Sequence, residues 1–329
     1  MVKITDVAAK AGVSVQTVSR VLNNRGYISQ ATREKVHQAI DELNYQPNEL
    51  ARSLHRGKSN LIGLIVPKIS HPFFCELAYY LERYAYQKGY KLLLCNSNRD
   101  KSKESKYLEM LKKNRVDGII MGSHVLDVEH YLNLNLPIIS LDRILAENIP
   151  FVSSDNVKGG KIASQLLIHK HCRKLAYIYG GIGGPPHNAL LASGRFQGFK
   201  QVIEDNRIEY TTLLLDETDS GMEFNLNKII GFLKEYPEVD GVFASSDVIA
   251  AWVIQACHHL KKAIPEEIKV IGYDDVGLAS LVSPRLTTIS QPIQKMSELT
   301  IELLTKQIDG EEVPLKNYLP VTIIERDTT

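Results

Sequence analysis

Cysteine is scarce and scattered in this chain of 329 residues: Cys75, Cys95, Cys172 and Cys257 lie far apart and form no CxxC pair. That spacing opposes a disulfide framework or a zinc ribbon and fits reduced thiols. Long apolar runs are missing as well. None approaches the roughly 20 residues of a membrane span, and Met1-Val2-Lys3 leads into a helical pattern without an apolar leader. The expectation is a cytoplasmic protein with no membrane partner. Enzyme signatures are also lacking: there is no G-x-S-x-G elbow and no dinucleotide fingerprint. Gly180-Gly181-Ile182-Gly183-Gly184-Pro185-Pro186 follows a predicted strand, but its prolines oppose a phosphate-cradling helix start, and Gly57-Lys58-Ser59 has Arg52 where a phosphate loop needs glycine. His169-Lys170-His171-Cys172 and Cys257-His258-His259 have poor ligand spacing and read as helix-end or surface residues. No enzyme, cofactor or metal is expected.

An excess of charge is absent only on average. The net charge is +1, yet residues 1–60 carry nine Lys and Arg against five Asp and Glu, leaving 30 basic against 33 acidic for the remainder. A basic head on a slightly acidic body fits phosphate contacts that position a reading element, with affinity falling as salt rises. The length exceeds one ordinary domain, so a small head plus a large body is the natural count.

The head begins with a helical hairpin over Ile4–Asn23. Thr5 is predicted to N-cap a first helix whose Val7, Ala8 and Ala11 share a face. Gly12 supplies the turn, and Ser14 caps a second helix with Val18, Val21 and Leu22 on its apolar side. The opposite side carries Val15, Gln16, Ser19 and Arg20; Arg pairs bidentately with guanine and Gln with adenine, so this face suits base edges. An ordinary hairpin with a solvated polar face has the same spacing. Ser29 opens a third helix with Val36, Ala39, Ile40 and Leu43 at helical spacing, and Asn44–Asn48 interrupts it. The segment Glu49–Gly57 is too short to persist as an isolated helix in water, and is expected to order against DNA and a twin copy.

The stretches "DVAAKAGVSVQTVSRVLN", "TREKV", "ELNYQPN" and "ARSL" resemble, nearly without gaps, the signature of the lactose-repressor and galactose-repressor (LacI/GalR) family. The resemblance implies a helix-turn-helix headpiece over 1–46, a hinge helix and linker over 47–60, and an effector-binding and dimerisation core over 61–329. It places Thr5, Ser14, Val15, Gln16, Thr17, Ser19, Arg20, Asn23, Tyr27, Asn48, Ala51, Arg52, Leu54 and His55 on DNA, with Leu54 as the apolar wedge that kinks the duplex from the minor groove. The family acts as a homodimer, so two heads would meet a near-palindromic operator on double-stranded DNA. No leucine heptads for a tetramerising bundle follow Arg326. Ser283 stands where the branch that answers a phosphorylated carrier protein has a cation, so that phosphocarrier protein is not an expected partner.

From Leu61 onward apolar runs alternate with helical patterns. Leu61–Val66, Lys91–Cys95, Gly118–Met121, Ile138–Leu141, Leu175–Tyr179, Gly241–Ala244 and Val270–Tyr273 read as buried strands, and Cys75–Gln87, Val157–Leu167, Glu223–Leu233 and Ile249–Leu260 as covering helices. Two rounds of strand and helix predict an α/β core of two lobes with parallel sheets flanked by helices, and a cleft at the strand ends. The core resembles periplasmic sugar-binding proteins, which the repressor family shares as a fold. On that basis lobe 1 spans about 61–156 and 292–319, and lobe 2 about 157–291 and 320–329.

Pro67–Phe74 ends the first strand; Phe73 and Phe74 offer an apolar face for the C–H side of a sugar ring, and His71 precedes them. The stretch Pro137–Arg143 followed by Val152–Ala163 is similar to ribose-binding proteins and to ribose and sucrose repressors, which implies that Asp142 and Arg143 contact sugar hydroxyls. Arg195 in "GRFQGF", Asp274 in "GYDD", Gln291 in "SQP", Ser246 and Asp216 complete the set. Singly, each is as readily a salt bridge or a turn residue; together, strand ends of both lobes point to one pocket. Three departures bear on the ligand. His71 replaces an asparagine, Ser246-Asp247 replaces Asn-Asp, and Leu215 or Asp216 falls where an aromatic often stands, which opens the site beyond ribose toward a fructosyl disaccharide such as sucrose. Arg143 opposes a purine effector, since that branch stacks an aromatic there. The resulting expectation is a repressor of a carbohydrate-utilisation operon controlled by a small sugar of ribose, sucrose or fructose type. Regulation by another metabolite, or sugar binding without a DNA role, is the alternative.

Overall fold

The computed structural model describes residues 2–46, 58–123, 125–142, 144–181, 190–216 and 221–329. Contacts divide the chain into two compact units, Met1–Ser59 and Asn60–Thr329. In the first unit, α1 (Ile4–Ala11), α2 (Val15–Leu22) and α3 (Gln30–Glu42) bury one small core of Val7, Ala8, Val18, Val21, Val36 and Ala39. Gly12 ends α1 in the left-handed region at φ 66°, its N–H directed to the carbonyls of Ala8 and Ala9. That conformation is cheap for glycine and lets the chain turn from α1 to α2 in three residues. Ser14 and Ser29 cap α2 and α3, accepting from the amides of Thr17 (3.1 Å) and Thr32 (3.3 Å).

The predicted cap of α1 is corrected. Lys3 occupies the N-cap, and Asp6 reaches back so that its Oδ2 accepts the Lys3 N–H at 2.8 Å; Thr5 lies inside the first turn. A carboxylate at the third helical position satisfies the amide of the N-cap residue itself and also meets the positive end of the helix dipole.

The second unit contains two six-stranded sheets. The first orders β11-β5-β4-β3-β1-β2, from β1 (Leu61–Val66), β2 (Lys91–Asn96), β3 (Gly118–Met121), β4 (Ile138–Leu141), β5 (Phe151–Ser154) and β11 (Lys316–Leu319). The second orders β12-β10-β9-β8-β6-β7, from β6 (Lys174–Gly181), β7 (Glu209–Asp216), β8 (Gly241–Ala244), β9 (Lys269–Asp274), β10 (Thr287–Ser290) and β12 (Thr322–Ile324). Every pairing is parallel except β10 with β12. Nine helices are described around them: α4 (Pro72–Gln87), α5 (Lys101–Lys113), α6 (Val128–Leu132), α7 (Asn156–His169), α8 (Leu190–Asp205), α9 (Gly221–Glu235), α10 (Asp247–Leu260), α11 (Leu278–Leu281) and α12 (Ile293–Ile308). Each sheet has an apolar cluster on both faces, which is why its central strands are continuous apolar runs rather than alternating ones. All seven predicted strands are present, and the α/β two-lobed expectation holds.

The chain passes between the lobes three times: after Ser154 into α7, after Ser290 into α12, and from Leu319 into β12. α7 and α8 pack with their backbones nearly touching. A Cβ on Gly160 would sit 2.0 Å from the Arg195 carbonyl oxygen, and one on Gly198 would sit 2.0 Å from that of Val157. Only glycine fits at either point, and this approach sets where Arg195 stands.

Candidate functional site

In the headpiece the two faces of α2 separate as the spacing requires. Val18 and Val21 are buried, whereas Val15, Gln16 and Arg20 are exposed and Thr17 and Ser19 are half-buried. The Asn23 amide closes the helix end, donating to the Ser19 carbonyl at 2.8 Å. Tyr27 stands 97% exposed, an aromatic with no core to serve, and Thr5 is exposed on α1. Asn48, Ala51, Arg52, Leu54 and His55 lie outside the described residues.

In the core the strand ends gather a buried polar cluster around Arg195, which is 6% exposed. Its Nε donates to Asn156 Oδ1 at 2.8 Å, and its Nη1 donates to the Ser245 carbonyl. Nη2 lies 3.9 Å from Asp142 Oδ2 of lobe 1 and 3.7 Å from Asp274 Oδ1 of lobe 2. The guanidinium also covers the Tyr273 ring, 3.6 Å from its centroid. Burial alone would lower the guanidinium's pKa, but Tyr273, Asp274 and Asp142 around it hold it above its ordinary value. Burial likewise pushes the Tyr273 hydroxyl up to about 12, against the pull of Arg195. One cation therefore faces two carboxylates. A ligand with adjacent hydroxyls can donate to the acids and accept from the fork, which is the complement a neutral polyol presents.

The acids are themselves held. Asp142, at φ 60°, accepts from Ser153 Oγ at 3.0 Å and Asn156 Nδ2 at 3.4 Å. Asp274, at φ 113°, accepts from Gln291 Nε2 at 2.7 Å, and Gln291 Oε1 accepts from Ser154 Oγ at 2.7 Å. Gln291 is thus a strut from lobe 1 through a crossover to lobe 2. The turn after Asp274 is pinned by two more acids. Asp247 accepts the Val276 N–H at 2.9 Å and the Thr288 hydroxyl at 2.5 Å, and Asp275 accepts from Arg326 at 2.7 Å. Such anchoring offsets the roughly 1–3 kcal/mol that a left-handed non-glycine residue costs.

The remaining predicted residues take the following places. Phe73 is 4% exposed and packs in the lobe 1 core with Leu77, Leu81 and Ala85, the inward stripe of α4. Phe74 is half-buried, edge-on to Phe73 at 5.2 Å and to His71 at 5.8 Å. Ser246 caps α10 by accepting the Ile249 N–H at 3.3 Å, while its neighbour Ser245 receives Arg195. Asp216 ends the edge strand β7, three strand spacings from β9 and so about 14 Å away, and Leu215 is buried in the lobe 2 core. Arg143 lies outside the described residues. Ser153, Ser154, Asn156 and Tyr273 are not among the residues that the sequence assigns to the site; for the first three, "SSDN" across a strand end is the available signal. Beside the cluster, on the Asp142 and Asn156 side, a cavity of about 400 Å³ opens.

Among the described residues no helix is long and apolar enough to cross a membrane. Residues 3–48 match the family model for bacterial regulatory proteins of the lacI family, and residues 164–329 match that for a periplasmic binding protein-like domain. A ribose operon repressor of Halalkalibacterium halodurans is 41% identical over 333 residues, covering 100% of this chain and 97% of that protein. A sucrose operon repressor of Streptococcus mutans is 41% identical over 327 residues, covering 99% of each. The structure of the lac repressor dimer bound to operator and an anti-inducer superposes with a TM-score of 0.85 at 26% identity, covering 99% of this chain and 98% of that one. With a matching headpiece, a matching core and full-length relatives that are repressors rather than enzymes, the chain belongs to the lacI family of DNA-binding transcriptional regulators.

Proposed function

We propose that this protein represses a carbohydrate-utilisation operon in the cytoplasm and is governed by a small sugar bound between its two core lobes. The observation that carries the reading is Arg195 held between Asp142 of one lobe and Asp274 of the other, a donor fork between acceptors that a polyol can bridge. Relatives named as ribose and sucrose operon repressors support the ligand class. In this reading residues 1–46 read DNA, 47–60 form the hinge, and 61–329 bind sugar and dimerise on a near-palindromic operator. Asp142, Arg195, Asp274 and Arg143 contact hydroxyls; Val15, Gln16 and Arg20 meet base edges; Leu54 wedges the minor groove.

Coupling follows from linkage. Sugar favours one arrangement of the lobes, that arrangement shifts the first lobes across the dimer, and the paired hinge segments loosen on DNA. A coupling of roughly 1–3 kcal/mol suffices for a regulatory response. The test is a thermal-shift screen of sugars on the purified chain, followed by operator binding with and without the hit. Leu54→Ala should weaken specific DNA binding and spare sugar, and Arg195→Ala should do the reverse. If both variants keep both activities, the assignment falls.

A further inference from the structure

The turn that follows Asp274 leaves the second sheet, yet its side chains pack into both lobes. Val276 is 2% exposed and sits in the apolar cluster of the first sheet, with Phe73, Leu77 and Met296. Leu278, half-buried, packs against the same cluster, whereas Ala279 lies in the lobe 2 core. The turn is therefore a plug with one side seated in each lobe. Its lobe 2 side is rigid. Asp247 accepts the Val276 N–H at 2.9 Å, Asp275 accepts from Arg326 Nη2 at 2.7 Å, and the Ala279 N–H donates to the Val276 carbonyl at 2.8 Å. The plug moves with lobe 2, so a change in the angle between the lobes shifts Val276 and Leu278 within lobe 1. Close-packed interiors resist such sliding and settle into discrete arrangements. Charge opposes the seat that packing holds: burial, and after it the Asp275 carboxylate, raise the Glu76 carboxyl on α4 above its ordinary value. The polar cluster depends on the same seat, because its two acids are divided between the lobes, Asp142 at 3.9 Å and Asp274 at 3.7 Å from Arg195 Nη2.

We propose that Val276 and Leu278 are positioning residues of the regulatory switch. Seated in lobe 1, they fix where Asp274 stands relative to Asp142 and favour the lobe arrangement described here, acting through Asp274 rather than on the ligand. The inference rests on the sugar reading above, in which sugar and operator favour opposite arrangements. Removing the seat then raises the affinity for one of the two and lowers it for the other.

The experiment uses the full chain, a duplex selected on the wild type from a random-sequence pool, and calorimetric titration with ribose, fructose and sucrose. The wild type should bind at least one of these sugars and lose duplex affinity when it does. Val276→Ala should shift sugar and duplex affinity in opposite directions, each by about threefold or more. Leu278→Ala, at a less buried position, should do the same and keeps the comparison if Val276→Ala does not fold. Leu278→Met conserves volume, and the methyl of Gly277→Ala meets nothing within 4 Å, so both should leave the two affinities within about twofold. Thermal melts establish that each variant is folded. Unchanged affinities in a folded alanine variant overturn the positioning role, as does a parallel loss of both, which is what a merely structural residue gives. A wild type whose duplex affinity does not respond to sugar overturns the sugar reading itself, and the inference with it.

Discussion

The guanidinium carbon of Arg195 stands 3.6 Å from the centroid of the Tyr273 ring, next in sequence to Asp274, the residue whose carboxylate faces the same guanidinium. One strand end thus supplies both the platform and the counter-charge. A buried cation over an aromatic face gains about 2 kcal/mol. Tyr273→Leu should therefore weaken the effector roughly tenfold, since tenfold corresponds to about 1.4 kcal/mol. Calorimetry reads this directly, and an unchanged Kd would show that the ring does not orient the fork.

Gly160→Ala tests the helix contact that sets Arg195. The added methyl would lie 2.0 Å from a carbonyl oxygen of the same residue whose side chain forms the cluster, so α7 and α8 must move apart. Overpacking of this kind costs about 1–3 kcal/mol. Urea unfolding should show that loss together with weaker effector binding. Gly231→Ala is the control: nothing lies within 4 Å of its position on α9, and it should be neutral or stabilising by up to about 1 kcal/mol.

Asp247 gives a pH signature. Burial first, and Asp274 second, raise its carboxyl well above the ordinary value of 3.8, while bonds from Thr288 and Val276 act the other way. An acid whose folded value exceeds its unfolded one binds more protons when folded, so its contribution to stability declines as pH rises from about 3.8 through the raised value. Above that it stays constant. Asp247→Asn cannot ionise, and although it gives up an acceptor it escapes the decline. Its stability relative to wild type should improve between pH 4 and pH 8 in matched denaturant titrations; a difference independent of pH would exclude the raised carboxyl.

In the headpiece, Arg20→Ala should lower operator affinity by the roughly 1–3 kcal/mol of a bidentate base contact while leaving non-specific binding nearly unchanged. Ser14→Ala should instead destabilise the three-helix unit by about 1 kcal/mol, because the Thr17 amide loses the Ser14 hydroxyl and keeps only the Ser14 carbonyl as acceptor. Binding titrations on specific and scrambled duplexes, paired with thermal melts of the full chain, separate the two effects.

Local signals carried much of this structure into the sequence. Ser14, Gly12 and the Val18/Val21 spacing act within a few residues, and they specify α2 completely. Apolar runs such as Leu61–Val66 mark central strands because burial on both faces removes alternation. β5, β7, β10, β11 and β12 are not among the seven strands legible in the sequence; β11 and β12 are four and three residues long and half exposed, and β11 pairs with Phe151–Ser154, more than 160 positions away. Phe73 and Phe74 read as a pair in the sequence, but a helix turns adjacent residues about 100° apart, and the spacing to Leu77 and Leu81 puts Phe73 on the buried stripe of α4. Asp142 and Asp274 were legible as acids at strand ends, but their left-handed backbone was not, since the anchors that hold it come from distant segments.

The three passages of the chain between lobes constrain how the halves can respond to one another. Tethers at a single point would let one half slide over the other; three side by side act as a strap that bends about its width and resists shear. A signal sent from the saccharide clamp toward the nucleic-acid grip therefore takes the form of an angle. Within this strap Ser154 and Gln291 tie two of the passages together through one hydrogen bond of 2.7 Å.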